Sequence, residues 1–263
     1  GMTVEAVLIP SDERMTLCVS SEVGCNMACR FCFTGKQKLK KRLSAGQIVG
    51  QFLTAQESLA KDGLRVTNIV FMGMGEPLDN PEAVFGAIDV LCNDFGINFS
   101  RKKITVSTSG IVPMMHLISA AKVRLAVSLN APNNEVRDFV MPINKKWNLT
   151  ELLDECVKYY DVTGDRITFE YVLLKGVTDS IEQAREVWHL IRHIPCKINI
   201  IPFNEHPGSG FERPTEESVR RFQNELIRLG AHVLLRKTMG RDIFAACGQL
   251  TSEYEGKPER LSL

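Results

Sequence analysis

Three cysteines set the first question. The run Cys25-Asn-Met-Ala-Cys29-Arg-Phe-Cys32 places three thiols within eight residues. Thiolates that close can converge on one metal centre, and a cubane of four irons is held by Cys ligands. Three cysteines leave one iron open to an outside ligand. Structural zinc wants a fourth protein ligand. Cys18 is the one near candidate, since no His lies nearby. The spacing favours an iron–sulfur site, with zinc as the alternative. Eight cysteines occur in all, four of them between positions 18 and 32. Cys92 and Cys156 fall on helical stripes and Cys196 precedes a strand, so those three read as core.

A second constellation is Met72-Gly-Met-Gly-Glu76-Pro77. Glycines let backbone approach a ligand closely, and a carboxylate such as Glu76 can accept from an ammonium group. The plain alternative is a strand-to-helix turn with a solvated Glu. A third is basic: Gly35-Lys-Gln-Lys-Leu-Lys-Lys-Arg42 carries five cations and no acid directly after the cysteines. Arg101-Lys-Lys103, Lys145-Lys146 and Arg236-Lys237 add charge near strand ends. Such residues suit phosphate contacts that position an RNA without reading it, although a charge run is most often a solvated face. None of the five histidines shows ligand spacing.

The elements that must hold these groups alternate. Strands are expected at Thr16–Ser20, Asn68–Gly73, Lys103–Ser107, Val123–Leu129, Ile167–Leu173, Lys197–Pro202 and His232–Arg236. Several are apolar throughout, as strands covered on both faces read. Ser44 with Gln47, Asn148 with Glu151 and Ser180 with Gln183 fit capping boxes. Asn80-Pro81 reads as an N-cap followed by Pro at the first helical position. Gly230 reads as the stop of a helix whose stripe is Val219, Phe222, Leu226 and Leu229. Regular β-then-α alternation predicts a parallel α/β sheet or barrel, with chemistry in the loops after the strands.

Composition sets the frame. The chain has 263 residues, 44% of them hydrophobic, enough for one sizeable core. Lys+Arg is 32 and Asp+Glu 31, so the net charge of +1 singles out neither a basic nor an acidic partner. No apolar run approaches the ~20 residues a membrane span needs. No signal peptide is evident, Gly1-Met2 reads as the remnant of an expression tag, and the expected setting is the cytoplasm. There, cysteines are reduced and serve metals or catalysis.

The Cys-x-x-x-Cys-x-x-Cys pattern, with Phe31 before the last Cys, resembles the radical S-adenosylmethionine (SAM) superfamily, and Met72–Pro77 resembles its Gly-Glu-Pro motif. Six segments narrow this further: Leu17–Cys25, Met72–Leu78, Ser107–Gly110, Met141–Lys146, Lys197–Pro202 and Ala245–Leu250. Across roughly residues 3 to 252 they resemble the dual-specificity adenine carbon-2 methyltransferases of ribosomal and transfer RNA. The carbon-8 methyltransferases of the same ribosomal adenine are the nearest relatives.

The resemblance implies an α/β fold, a partial (β/α) barrel of the radical SAM type with parallel strands. It implies a [4Fe–4S] cluster on Cys25, Cys29 and Cys32, whose open iron takes SAM. Gly75, Glu76, Ser107, Ser128, Asn130 and Asn204 fall at SAM-contacting positions. Cys247 would take a methyl group from one SAM. A deoxyadenosyl radical from a second would abstract hydrogen from it, and the carbon radical would add to the adenine. Cys18 would resolve that adduct, leaving a disulfide with Cys247, and Glu5 matches an acidic active-site position. Large-subunit rRNA is the implied substrate, with tRNA as a further one, a flavodoxin or ferredoxin as electron donor, and a monomer as the state. Two departures stand out. Position 130 is Asn where the family usually has His. The family's N-terminal RNA-binding domain is expected to be absent, leaving 1–263 as a single radical SAM catalytic domain.

Read without the resemblance, Cys247 and Cys18 are equally small buried hydrophobes, Glu5 a solvated charge, and the Ser and Asn residues turn formers. Two other functions compete: a radical SAM enzyme acting on a small molecule or peptide, which needs neither Cys247 nor Cys18, and a metal-stabilised RNA-binding module without turnover.

Overall fold

A computed structural model describes residues 2–11, 14–206, 208–236 and 248–250. Along the chain run β1 (Val7–Ser11), β2 (Arg14–Cys18), β3 (Glu22–Val23), α1 (Phe33–Lys36), β4 (Lys41–Arg42), α2 (Ala45–Ala60), β5 (Asn68–Phe71), α3 (Pro81–Cys92), β6 (Ile104–Thr108) and α4 (His116–Ala120). There follow β7 (Arg124–Ser128), α5 (Asn134–Val140), α6 (Leu149–Thr163), β8 (Ile167–Leu173), α7 (Ile181–Ile191), β9 (Cys196–Pro202), α8 (Glu216–Arg228) and β10 (Val233–Leu235).

Eight strands form one sheet in the order β1-β2-β5-β6-β7-β8-β9-β10. From β2 onward every pairing is parallel, and β1 is antiparallel to β2. The sheet curls into an open half-barrel. The seven expected strands are all present. β1 and the two-residue β3–β4 ladder were not expected. That ladder closes the base of the loop that carries the three cysteines, pairing Glu22 with Arg42 and Val23 with Lys41.

Side chains of a strand alternate between faces. Ile104, Val106, Leu125, Val127, Ile167, Phe169, Ile198 and Ile200 bury themselves under the helices. The opposite, concave face carries Thr105, Ser107, Ser128, Thr168, Glu170, Lys197 and Asn199, aligned by register across β6 to β9. The strands therefore have one polar face lining a cavity, instead of being apolar on both.

Helix starts follow the expected chemistry. Ser44, Asn148 and Ser180 each complete a capping box. Asn80 precedes Pro81, but its side chain makes no cap bond. Its amide instead donates to the carbonyls of Ser21 (3.0 Å) and Leu43 (2.8 Å), tying the two ends of the cysteine loop together. Gly230, at φ +93°, follows the last residue of α8 as expected.

Candidate active site

Every strand from β5 to β10 delivers residues to one cavity at its C-terminal end. Phe71 ends β5, and Met72, Gly73 and Gly75 to Pro77 follow it; Ser107 and Ser109 come from the end of β6, Ser128 and Asn130 from that of β7, Glu170 and Val172 from β8, Ile201, Phe203 and Asn204 from the end of β9, and Arg236 follows β10. Cys25, Cys29 and Cys32 line the same cavity from the loop after β3. All three thiols are half-buried. Burial pushes the thiols of Cys25 and Cys29 well above their ordinary range, and mutual repulsion among the three adds to this. A bound cation reverses that balance, because a coordinating thiol is deprotonated outright.

Among the described residues, no three His, Cys, Asp or Glu side chains converge on a point that could hold a single ion. Three thiols on one cavity wall could each hold one iron of a cubane cluster. Cys18, the near candidate for a fourth ligand, does not line this cavity: it is 5% exposed on β2, opposite Val7 on one side and Val70 on the other. By register it shares the concave face with Thr105, one layer below the cavity.

The loop after β5 is held from beneath. Gly75 has φ +96°, and a Cβ there would lie 2.6 Å from Glu22 Cβ. Glu22, fully buried, accepts from the Glu76 N–H at 3.0 Å. Burial raises its pKa to about 7. The Glu76 carboxylate accepts from the N–H groups of Ser109 (2.7 Å) and Leu78 (3.2 Å). Burial pushes its pKa up and these bonds pull it down. A ligand ammonium beside it would complete the balance. Glu76 is thus no solvated turn residue.

Asn130 sits at φ +55°, a left-handed conformation that Asn tolerates better than most residues. Its side-chain oxygen accepts from Val172 N–H at 2.9 Å, and its amide reaches Met141 Sδ at 3.2 Å. Ser107 and Ser128 line the cavity half-exposed, and Asn204 is buried in its wall. Glu5 precedes β1, and its carbonyl accepts from Ser20 Oγ at 2.6 Å. Ser20 Oγ in turn accepts from Met74 N–H at 2.8 Å, so Glu5 is tied to the same loop without lining the cavity. Cys247 lies outside the described residues, as does Lys237. Gly248 lines the cavity and its carbonyl accepts from Phe33 N–H at 2.8 Å.

A match to the radical SAM superfamily spans residues 19–187. A dual-specificity RNA methyltransferase, RlmN, of Pseudomonas entomophila is 46% identical over 99% of this chain and 70% of its own length. The chain belongs to the radical SAM superfamily, in the RlmN family. The RlmN of Bdellovibrio bacteriovorus is 65% identical over the whole of this chain and 65% of its own length. The chain thus spans about two thirds of the length of these relatives. A radical SAM methyltransferase from Sphaerobacter thermophilus superposes with a TM-score of 0.93 at 43% identity, over 95% of this chain and 74% of that one. Radical SAM membership brings a [4Fe–4S] cluster and SAM as cofactors.

Three residues of the radical SAM site had no sequence signal. Arg137 of α5 is fully buried, and burial lowers its pKa to about 10, so it stays a cation at neutral pH. It donates to the carbonyls of Ser109 (2.7 Å), Ser128 (3.0 Å) and Leu129 (3.0 Å) and to Asn144 Oδ1 (3.1 Å). One guanidinium therefore pins the ends of β6 and β7. Glu170 sits between Phe169 and Tyr171 in β8. One of its oxygens accepts from Asn199 (2.8 Å), while the other has no hydrogen-bond partner among the described residues and lies 3.9 Å from Arg236. His206, 7% exposed, contacts the Phe31 carbonyl through Nε2 at 3.1 Å and packs edge-on against Phe33.

The basic patches separate. Lys36, Lys38, Lys40 and Lys41 are exposed on the cysteine loop. Arg101 to Lys103 precede β6 and so lie at the opposite end of the barrel from the site, where Arg101 pairs with Asp89 at 2.8 Å. Among the described residues, no helix is long and apolar enough to cross a membrane.

Proposed function

We propose that this chain is the catalytic domain of a radical SAM methyltransferase acting on an adenine of large-subunit rRNA, with tRNA as a second substrate. The observation that carries this is the single cavity shared by the three cysteines and the Gly75–Glu76 loop, in a chain that matches RlmN relatives along its full length. The cluster and SAM supply a deoxyadenosyl radical when an electron arrives.

The chain's own residues then divide the work. Cys25, Cys29 and Cys32 hold three irons. Glu76 receives the SAM ammonium, with Gly75 giving the backbone room to approach. Ser107, Ser128, Asn130 and Asn204 surround the rest of the SAM molecule. Cys247 carries the methyl group, and the described residue next to it, Gly248, is bonded to the turn after Cys32. Cys18 resolves the protein–RNA adduct from its place on the concave face of β2. Glu5, tied to the Met74 loop through Ser20, is the acidic residue of the site. The exposed Lys38, Lys40 and Lys41 of the cysteine loop meet RNA phosphates. A small electron-carrier protein supplies the electron, and the enzyme works as a cytoplasmic monomer.

Two variants test the assignment, in a chain that includes any RNA-binding region it needs. Cys247→Ala keeps the cluster and cleaves SAM slowly but never methylates RNA. Cys18→Ala methylates Cys247 and attacks RNA but cannot release it, so a stable crosslink appears on a denaturing gel. Wild-type methyl transfer by the first variant, or free product from the second, removes that residue from the mechanism.

A further inference from the structure

The cysteine loop has two sides. Its inner side faces the cavity. Its outer side forms a separate groove whose lining includes Cys29, Arg30, Lys36, Phe139 and Phe211. Of the three thiols, Cys29 alone lines both. With Gly35 beside it, Cys29 therefore stands between the cavity and this outer groove.

The groove has a distinct chemistry. Arg30 and Lys36 are exposed, and no carboxylate pairs with either among the described residues. Lys36 donates to the neutral carbonyl of Gly208. The Arg30 guanidinium lies 4.6 Å from the centre of the Phe139 ring, and Phe139 is 44% exposed. Phe211 meets Phe139 edge-on at 6.1 Å. No acid occurs among the lining residues. Two uncompensated cations around an exposed aromatic make a patch that steers an acidic protein and gives it an apolar anchor.

We propose that this groove is where the enzyme docks its reductant, a small acidic one-electron carrier protein of the flavodoxin or ferredoxin kind. The inference rests on Cys25, Cys29 and Cys32 holding the cluster. The reduced carrier loses one electron and the cluster gains it through the Cys29 wall; no bond forms or breaks and no proton moves. RNA is the rival occupant, since phosphates and stacked bases also suit cations and an exposed ring. The placement favours the carrier. The target adenine must enter the cavity on the inner side of the loop, while the outer side leaves that entrance free and reaches the cluster position through Cys29.

The test uses reconstituted holoenzyme and a bacterial flavodoxin. Wild-type protein must first show about four irons per chain; failure there strikes the cluster assignment and not the groove. Arg30→Glu and, on a separate element, Phe139→Glu are then compared in stopped-flow reduction by flavodoxin hydroquinone and by dithionite. The expected result is a loss of about tenfold or more in the second-order rate with flavodoxin at low salt, narrowing as salt rises, with unchanged dithionite reduction. Flavodoxin affinity measured by calorimetry falls in parallel. If Arg30→Glu sheds iron, the Phe139 variant decides. Wild-type reduction by flavodoxin in an iron-replete variant overturns the proposal. The same result with weakened RNA binding assigns the groove to RNA.

Discussion

Replacing Arg137 by Met removes a buried cation while roughly keeping its volume. The structure sets the size of the effect. The guanidinium makes four hydrogen bonds, three of them to the carbonyls of Ser109, Ser128 and Leu129. Hydrogen bonds to a charged group contribute about 1.5–3 kcal/mol each, and a buried acceptor left short costs about 1–3 kcal/mol. Against this, the variant no longer pays for burying a full charge, which offsets several kcal/mol. The expected net loss is about 2–4 kcal/mol, or a fall of roughly 5–15 °C in Tm for a chain of this size. Chemical denaturation of the metal-free protein measures the first quantity and calorimetry the second. A second readout separates positioning from bulk stability. Ser128 and Ser109 line the cavity, and their carbonyls are the ones released. SAM affinity of the iron-replete variant should therefore fall at least about fivefold, close to 1 kcal/mol. Arg137→Lys keeps the charge but reaches fewer carbonyls, and should recover only part of both. A Met variant within about 0.5 kcal/mol of wild type that binds SAM normally would refute the reasoning.

Other expectations follow from the same loops. Glu22 has its pKa raised by burial to about 7. Its contribution is fully present below the unfolded carboxyl range and is lost as pH rises through about 7, by at most about 3 kcal/mol. Metal-free protein should therefore weaken between pH 5 and pH 8, and Glu22→Gln should flatten that profile; an unchanged profile in the variant defeats the idea. Gly75→Ala puts a Cβ 2.6 Å from Glu22 at φ +96°, so a loss of about 2–4 kcal/mol and of SAM binding is expected. Its iron content should survive, and normal SAM affinity would count against the close approach. Ala at any one of Cys25, Cys29 or Cys32 should abolish the cluster absorption and SAM cleavage, whereas full iron content would sink the ligand assignment.

Much of this architecture is legible in the sequence because it is local. Capping boxes at Ser44, Asn148 and Ser180 depend on four consecutive residues, and strand cores on short apolar runs. The three cysteines and Gly75–Glu76 carry their own spacing. What sequence reading missed depends on pairings far apart in the chain. β1 is a short edge strand with no helix after it, so β-then-α alternation passes it by. Glu170 hides in Ile-Thr-Phe-Glu-Tyr-Val-Leu, where only the sheet's curl turns alternate residues toward a cavity. Arg137 reads as one more surface charge on a helix until its three carbonyl partners are seen. Arg101 to Lys103 lie at the wrong end of their strand for the site, a distinction that direction along a parallel sheet makes and charge counting cannot. Asn130 sits in a left-handed conformation that nothing in its local sequence announces.

The hydrogen bond from Thr34 Oγ1 to the Leu250 carbonyl, 2.6 Å long, joins residues 216 positions apart. Beside it, Phe33 N–H reaches Gly248 and the Gln249 side chain reaches Glu205. The turn that follows Cys32 is translated well before these partners. A nascent chain therefore carries the three cysteines well before the wall beside them is in place. Contacts of such long sequence separation form late in folding. The cysteine loop is therefore not fully walled in until residues 248–250 have been translated.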